Sequence, residues 1–165
     1  MEDPTMNRTS KIDYFLRIAE VVASRATCLR RAVGCVLTNS RGHIRATGYN
    51  GRAAGLPHCL NTGGEHDHAC HGAQVPSGTD LDACEAIHAE QNALLQCPNV
   101  FDIVACYVTV SPCVTCVKLL MNTSCRAIYF RDEYAHNEEA KRLWLSNSER
   151  VWVMVPPEKW SDVYA

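Results

Sequence analysis

Three kinds of side chain that bind metals lie close together along this chain. His88 stands two residues before Glu90, and Cys113 and Cys116 follow in a Pro-Cys-x-x-Cys segment. A catalytic zinc ion takes three protein ligands and leaves a fourth position for water, and His88, Cys113 and Cys116 offer one nitrogen and two sulfurs. Two thiolates balance the charge of the ion and leave it electrophilic enough to activate water near neutral pH. Glu90 is then free to carry protons.

The spacing of the two cysteines predicts that one helix presents both of them to the same metal. Residues three apart share a face of a helical turn, and Pro112 is typical of a helix start. The N-terminus of a helix also favours thiolate over thiol, because its N–H groups carry partial positive charge.

His88 and Glu90 require a different geometry. Residues two apart do not share a helix face, so these two converge only if the metal lies beyond the end of their helix, which we predict over residues 86–96. A Cys-x-x-Cys segment alone occurs roughly as often in structural zinc sites and redox proteins as in any other role, so it does not by itself indicate catalysis. Together, with one segment ahead of a helical pattern and the other after a strand-like run, the two favour a catalytic zinc centre.

The composition indicates one domain of the α/β class. A chain of 165 residues with 47% hydrophobic content can bury about two-thirds of its unfolded surface. Residues 1–10 are polar and lack a secretory apolar region, and no apolar run approaches the roughly 20 residues of a membrane helix. We therefore expect a cytoplasmic protein whose ten cysteines are reduced thiols, some of them holding metal. The net charge of -2 gives no general attraction to a polyanion, which favours a small substrate over nucleic acid.

Hydrophobic periodicity predicts an antiparallel hairpin followed by alternating helices and strands. The predicted helices are 12–26, 86–96, 136–145 and one that starts near Cys113, and the predicted strands are 32–37, 44–49, 104–110, 127–130 and 151–154. Because strand and helix alternate after residue 100, the later strands should be parallel. Residues 50–82 form a long irregular insertion without a clear period, and such loops are usually functional or disordered.

The sequence resembles the deoxycytidylate (dCMP) deaminases of the cytidine deaminase superfamily over nearly its whole length. The matching stretches are residues 24–28, 33–34, 47–51 (Thr-Gly-Tyr-Asn-Gly), 88–93 (His-Ala-Glu-Gln-Asn-Ala), 108–113 and 131–134. The resemblance implies a three-layer α-β-α fold, with a five-stranded mixed sheet flanked by helices on both faces. It also implies a homo-oligomer, commonly a hexamer, with sites near the subunit interfaces.

The function implied by this resemblance is zinc-dependent hydrolytic deamination of dCMP to dUMP and ammonia, which supplies dUMP for thymidylate synthesis. Water attacks C4 of the cytosine, and Glu90 takes a proton from the water and delivers it to N3. By the same resemblance, Asn50 bonds the deoxyribose or neighbouring polar groups, and the backbone of Ala89 contacts the pyrimidine. Ser111 is a further substrate-binding candidate, and Tyr134 helps to hold the 5′ end.

Cysteines and histidines in and around the insertion exceed what one metal site needs. They are Cys28, Cys59, Cys70 and Cys84, with His58, His66, His68 and His71. The resemblance implies a second, structural zinc, with Cys28 and Cys59 at its first two ligand positions. The other ligands would be Cys84 and either Cys70 or one of His66, His68 and His71. The alternative is that the cysteines pack as small apolar groups and the histidines lie on a hydrated loop.

Two further groups of residues have simpler interpretations. Cys35, Cys97, Cys106 and Cys125 lie in or beside predicted elements and are expected in the core. Positive charge in the first third of the chain comes from Arg25, Arg30, Arg31, Arg41, Arg45 and Arg52. These arginines form either a solvated surface or a phosphate-binding site. In the resembled family dCTP with Mg²⁺ activates and dTTP inhibits, near the Gly-Tyr-Asn-Gly turn, and such ligands would suit these arginines.

Other functions stay open on the sequence. The zinc motif does not choose the ring, so the substrate could be a modified cytosine nucleotide, dCTP or a tRNA adenosine. Residues 117–120 (Val-Lys-Leu-Leu) and the lack of a basic tail argue against the tRNA substrate. A zinc-stabilised nucleotide-binding module without catalysis is the alternative from another class, and it would not need Glu90.

Overall fold

The computed structural model describes residues 8–59, 70–76, 79–80 and 83–157. Its helices are α1 (Lys11–Ala23), α2 (Ala89–Gln96), α3 (Val114–Met121) and α4 (Glu138–Trp144). Its strands are β1 (Gly34–Thr38), β2 (Ile44–Tyr49), β3 (Gly51–Arg52), β4 (Ala86–Ile87), β5 (Ala105–Val110), β6 (Ala127–Asp132) and β7 (Val151–Met154). Among the helices in these ranges, none has the length and apolar character needed to cross a membrane.

The main sheet is five-stranded and mixed, with the order β2-β1-β5-β6-β7. β1 pairs antiparallel with both β2 and β5, whereas β5, β6 and β7 are parallel. Every residue of β1 and β5 is buried, as expected for central strands covered on both faces. The predictions of a hairpin and of parallel later strands are confirmed.

Helices cover both faces of this sheet. On one face α1 packs Phe15, Leu16 and Ala19 against Val36 and Tyr107. The other face carries α2, α3 and α4, whose buried residues include Ala89, Ala93, Val117, Leu120, Ala140 and Trp144. The three-layer α-β-α fold is therefore confirmed. Cys35, Cys106 and Cys125 are buried in the hydrophobic cluster on the α2, α3 and α4 side of the sheet, as predicted. Cys97 is partly buried and packs against this cluster.

Two glycines allow helices to approach the sheet closely. A Cβ atom on Gly34 would lie 2.0 Å from the carbonyl oxygen of Ala19 in α1, and one on Gly48 would lie 2.3 Å from that of Ala89 in α2. Real Cβ atoms do not come so near to a backbone, so only glycine fits at these two positions. Gly48 thereby sets the height of α2 above the sheet.

Three helix boundaries differ from the predictions by two residues or more. α1 ends at Ala23 instead of residue 26, with Ser24 as its cap. α2 begins at Ala89 instead of residue 86, because Ala86 and Ile87 pair with Gly51 and Arg52 in a separate two-stranded sheet. α4 begins at Glu138 instead of residue 136, because His136 has a φ of 75°, which no right-handed helix accommodates.

A buried ion pair connects α1 to strand β6 of the sheet. Asp13 in α1 is fully buried, and its Oδ1 accepts a hydrogen bond of 2.5 Å from Nη2 of Arg131 in β6. The Nε of Arg131 donates to Glu20 at 2.7 Å, and its Nη1 donates to the carbonyl oxygens of Val155 and Pro156. Arg131 thus joins α1, β6 and the segment after β7.

Replacement of Asp13 by Asn is expected to lower the free energy of unfolding by about 3 kcal/mol at pH 7, because it leaves the Arg131 charge buried with less compensation. Burial acts to raise the pKa of Asp13, but hydrogen bonds from Arg131 and Arg17 outweigh it and hold this pKa below 3.8. The stabilisation is therefore fully present above pH 3.8 and is lost as the pH falls through the folded-state pKa. Urea unfolding of wild type and variant over this pH range measures the difference.

The control for this substitution is Asp102→Asn, which breaks the more exposed ion pair to Arg45 (2.9 Å). Its cost should stay below about 1 kcal/mol. A gap between wild type and Asp13→Asn that persisted unchanged into strong acid would contradict the assignment.

Candidate metal centre and active site

The metal-binding residues lie at the N-termini of two helices. His88 is the N-cap of α2, and its backbone N–H donates to Oε1 of Gln91 at 2.8 Å in a capping box. Cys113 is the N-cap of α3, three residues after the end of β5. Cys116 follows on the first turn of α3 and is fully buried. Both helix starts therefore face the same point, beyond the end of α2, as the spacing of His88 and Glu90 required.

The three candidate ligands have the separations that a zinc ion imposes. Nδ1 of His88 lies 3.5 Å from the sulfur of Cys113 and 3.5 Å from that of Cys116, and the three ligand atoms all lie within 4.8 Å of one another. Tetrahedral zinc with ordinary Zn–N and Zn–S bonds separates such nitrogen and sulfur atoms by about 3.5 Å. The side chains therefore fit a zinc ion with one position left for water.

The electrostatics of the two cysteines favour a thiolate at this site. The pKa of Cys113 falls from 9.0 to about 4, first because Cys116 donates a hydrogen bond to its sulfur and then because His88 does so against the effect of burial. The pKa of Cys116 moves well above 9.0, because it is the partner that keeps the proton. A metal that replaces this proton would take both sulfurs as thiolates.

Glu90 lies beside the ligand set without belonging to it. It is in the first turn of α2, and its side chain is only 4% exposed. Burial raises the pKa of Glu90 to about 7, and the charge of His88 opposes this only in part. A carboxyl group with such a pKa can both accept and donate a proton near neutral pH, as general acid–base chemistry requires.

A pocket of about 620 Å³, counted out to its open mouth, leads to Glu90 and the candidate zinc ligands. All four residues that the resemblance associates with substrate line the pocket, namely Asn50, Ala89, Ser111 and Tyr134. It opens at the carboxyl ends of β5 and β6, where ligands of open α/β sheets commonly bind.

Two of these residues also hold the walls of the pocket in place. Nδ2 of Asn50 donates to the carbonyl oxygen of Arg31 at 2.7 Å, and its Oδ1 accepts from the N–H of Val33 at 2.8 Å. Oγ of Ser111 accepts from the N–H of Tyr134 at 2.7 Å. Both side chains therefore have a positioning role that the resemblance did not indicate.

The second group of cysteines contains one contacting pair, Cys59 and Cys70, and two residues that line the pocket, Cys28 and Cys84. The N–H of Cys70 donates to the sulfur of Cys59 at 3.4 Å, and both residues are buried. Burial opposes thiolate at Cys70, but N–H groups of Glu85 and Ala73 and the thiol of Cys59 still lower the pKa of Cys70. Cys84 packs against Gly72, two residues after Cys70, and shares the wall of the pocket with Cys28.

These four sulfurs are less tightly grouped than the first set. Within the part of the chain that the structure describes, His88, Cys113 and Cys116 have ligand atoms that all lie within 4.8 Å of one another, whereas these four cysteines do not form such a group. His71 forms an exposed ion pair with Asp80 at 2.6 Å, and His58 is exposed. The candidates His66 and His68 lie outside the described residues.

The sequence did not single out several residues of the pocket. Val33 and Val110 form apolar wall beside the metal centre, and their only signal was their place at strand ends next to the motifs. Arg30 and Arg31 also line the pocket, and the charge pattern could not separate them from the other four arginines of the first third.

The three-layer α/β fold, the His-Cys-Cys ligand set and the buried glutamate place this chain in the class of zinc-site domains. Comparison with known proteins identifies the family within this class. The family model described as "Cytidine and deoxycytidylate deaminase zinc-binding region" matches residues 9–131. This chain belongs to that family.

Individual relatives agree with this assignment. The deoxycytidylate deaminase of Schizosaccharomyces pombe is 32% identical over 158 residues, which are 94% of this chain and 48% of the relative, so the chain spans about half of that protein. The deoxycytidylate deaminase of Mycobacterium phage D29 is 36% identical over 134 residues, which are 78% of this chain and 99% of the phage protein. Among solved structures, the dCMP deaminase of cyanophage S-TIM5 in complex with dCMP and dUMP superimposes with a TM-score of 0.66 at 22% identity, covering 90% of this chain and 100% of that one. This last likeness confirms the fold.

Proposed function

We propose that this protein catalyses the hydrolytic deamination of dCMP to dUMP and ammonia. The observation that carries the proposal is the position of Glu90, which is buried at the inner end of the pocket beside the three candidate zinc ligands. The names of the S. pombe and D29 relatives support dCMP as the substrate. The product dUMP would supply thymidylate synthesis.

The residues of the chain have distinct roles in this reaction. His88, Cys113 and Cys116 would hold zinc, which supplies a nucleophilic water near neutral pH. Glu90 accepts the proton of that water and delivers it to N3 of the cytosine, so that C4 becomes tetrahedral and the amino group leaves as ammonia after a second proton transfer. The first N–H groups of a helix have no intrahelical partner, so the N–H of Ala89 at the start of α2 can donate to the pyrimidine.

The experiment is to incubate zinc-loaded protein separately with dCMP, CMP, dCTP, 5-methyl-dCMP and deoxycytidine, and to measure deaminated product and ammonia. A clear preference in kcat/KM for dCMP supports the proposal. If dCTP or a 5-substituted nucleotide is preferred, that nucleotide would be assigned as the substrate in place of dCMP. No turnover of any nucleotide would overturn the proposal, and a tRNA substrate or a non-catalytic nucleotide-binding module would then be tested.

A second, structural zinc is the further part of the proposal that concerns metal. The contact between Cys59 and Cys70 and the lowered pKa of Cys70 support it, with Cys84 and Cys28 nearby. We expect Cys70→Ser to remove one of two zinc ions per chain and to lower Tm, because metal-binding free energy is then lost from folding. Cys97→Ser is the matched control and should retain both ions. A fully active preparation with a single zinc per chain would contradict this prediction.

Regulation, assembly and location follow the family resemblance. We include dCTP with Mg²⁺ as an activating effector, dTTP as an inhibitor, a homo-oligomer of hexameric size and a cytoplasmic location. The ten cysteines are all free, which is consistent with a reducing compartment. Rates at subsaturating dCMP with and without each triphosphate, and the mass of the particle in solution, test the first three.

A further inference from the structure

Asn92 lies in the middle of α2 and contacts both the metal centre and the edge strand β2. Its side-chain Nδ2 donates to the carbonyl oxygen of Tyr49, the last residue of β2, at 2.8 Å. Its backbone N–H donates to the carbonyl oxygen of His88 at 3.0 Å. A single residue of the helix is therefore bonded to the candidate zinc ligand and to the end of the strand.

The helix itself does not favour asparagine at this position. Asparagine is a poor helix former because its amide competes for nearby backbone groups, whereas alanine is the best. The Asn92 amide instead bonds a carbonyl group that lies 43 residues earlier in the chain. A residue that disfavours its own helix and makes a long-range contact is typical of a position under a functional constraint.

The residue after Tyr49 carries this contact into the wall of the pocket. Asn50 is 8% exposed and lines the pocket together with Glu90. Its side chain makes two hydrogen bonds, of 2.7 and 2.8 Å, to the backbone of residues 31–33, and we call Asn50 and these residues the Asn50 wall. A chain of contacts thus runs from Asn92 through Tyr49 to the Asn50 wall.

Two other contacts hold the same region, but they act differently. Close packing at Gly48 places the backbone of Ala89 and Ala93 against β2 and limits how near α2 can come. Pairing of β3 with β4 holds the residues just before His88, outside the helix. Of these three contacts, the Asn92 bond is the one that joins the body of α2 to the end of β2 and limits how far apart they move.

We propose that Asn92 is a positioning residue for the deamination, which keeps the Asn50 wall at the correct distance from Glu90 and the candidate zinc ligands. This inference rests on the proposed function, because it concerns how the substrate of that reaction is aligned. A substrate that lies against the Asn50 wall presents its ring to Glu90 only while this spacing is kept. Proton transfer needs the two heavy atoms about 3 Å apart, and a displacement of about 1 Å can lower the rate 10²-fold.

The test compares kcat and KM for dCMP, with zinc content, in wild type, Asn92→Ala, Asn92→Asp and Asn92→Gln. The Ala and Asp variants lack the donor and should lower kcat by about 10- to 100-fold, with KM changed by less than about 3-fold and zinc retained. Asn92→Gln keeps a donor and should recover part of kcat. Because alanine favours the helix, a loss in Asn92→Ala comes from the contact with Tyr49 and not from α2 itself.

The matched control is Asn147→Ala. The Oδ1 atom of Asn147 accepts a hydrogen bond of 2.9 Å from the N–H of Glu149, so this variant also removes one bond between a side chain and the backbone. Asn147 precedes β7, at the amino end of the parallel strands and opposite the pocket. Its replacement should leave kcat, KM and zinc content at their wild-type values.

Amide hydrogen exchange separates this inference from the proposed function, because it requires no turnover and no substrate. The N–H of Asn50 donates to Val33 at 3.2 Å, and the N–H of Thr27 donates to the Asn50 carbonyl oxygen at 3.1 Å. Both amides report how firmly the Asn50 wall is held. Loss of one hydrogen bond in Asn92→Ala should lower their protection by about 10-fold. This result would support the positioning role even if no nucleotide were deaminated.

Four outcomes would overturn the inference. Unchanged protection of the Asn50 and Thr27 amides in Asn92→Ala would do so even if dCMP were the substrate. Faster exchange with a wild-type kcat would show that the wall moves without consequence for the chemistry. A loss that fell on KM alone would assign the contact to binding. Loss of zinc from Asn92→Ala would show that Asn92 supports the metal centre and not the alignment of the substrate.

Discussion

Glu90→Gln is expected to lower kcat for dCMP by about 10² to 10⁴-fold while the protein keeps its catalytic zinc. Gln has nearly the same shape as Glu but can neither take the proton of water nor deliver one to N3. Burial raises the pKa of Glu90 to about 7, and this pKa allows the carboxyl group both to accept and to donate a proton at neutral pH. Steady-state rates, zinc content and Tm measured on the same preparation give the three quantities needed.

The control for this variant is Glu149→Gln, which alters an exposed carboxylate in a long ion pair to Arg126. It should keep the wild-type kcat. A zinc-replete Glu90→Gln protein with normal turnover would remove Glu90 from the mechanism. Loss of zinc together with activity would instead mean that Glu90 supports the metal site.

Gly48→Ala is expected to cost about 1 to 3 kcal/mol of stability and to lower kcat by about 10²-fold. The new Cβ atom would lie 2.3 Å from both the carbonyl oxygen of Ala89 and the N–H nitrogen of Ala93. Because these are backbone atoms, the clash is relieved only by a shift of α2 away from the sheet. That shift moves His88 and Glu90 together, since the one caps this helix and the other lies on its first turn.

Gly55→Ala is the matched control for this substitution. Gly55 has a φ of 89° and nothing within 4 Å of an added Cβ atom, so its replacement strains the backbone without displacing a helix. It should cost about 1 kcal/mol and leave kcat unchanged. Chemical denaturation and steady-state kinetics on both variants separate the two effects. A Gly48→Ala protein with wild-type kcat would show that α2 tolerates the shift.

Much of the site could be predicted because zinc imposes short-range geometry on the sequence. Cysteines three apart at a helix start and a histidine two residues before a glutamate leave few arrangements, and the structure brings His88, Cys113 and Cys116 together as expected. The sheet was also predictable, since runs such as residues 104–110 are continuously apolar or β-branched. Parallel pairing of β5, β6 and β7 followed from the helices between them.

The remaining features depend on tertiary contacts that leave no local signal. Residues 86–87 directly precede the helical pattern and read as its first turn, yet they form a strand because Gly51 and Arg52 lie opposite them. The positive φ of His136 shortens α4, and no neighbouring residue in the sequence predicts this backbone conformation. The sequence could not tell that Arg30 and Arg31 are the two of the six arginines that line the pocket, because this depends on how the chain folds. Spacing alone could not sort the cysteines of the insertion, because their contacts involve residues far apart in the chain.

The contact of Arg131 with α1 has a consequence for how this family member can diverge. Arg131 lies three residues before Tyr134, and its guanidinium is neutralised by Asp13 and Glu20 on the opposite face of the sheet. A mutation in the first helix that weakens this neutralisation is therefore expected to affect the loop around Tyr134, which lines the pocket. The first helix and this loop are consequently expected to accept mutations as a linked pair, and libraries that vary one should vary the other.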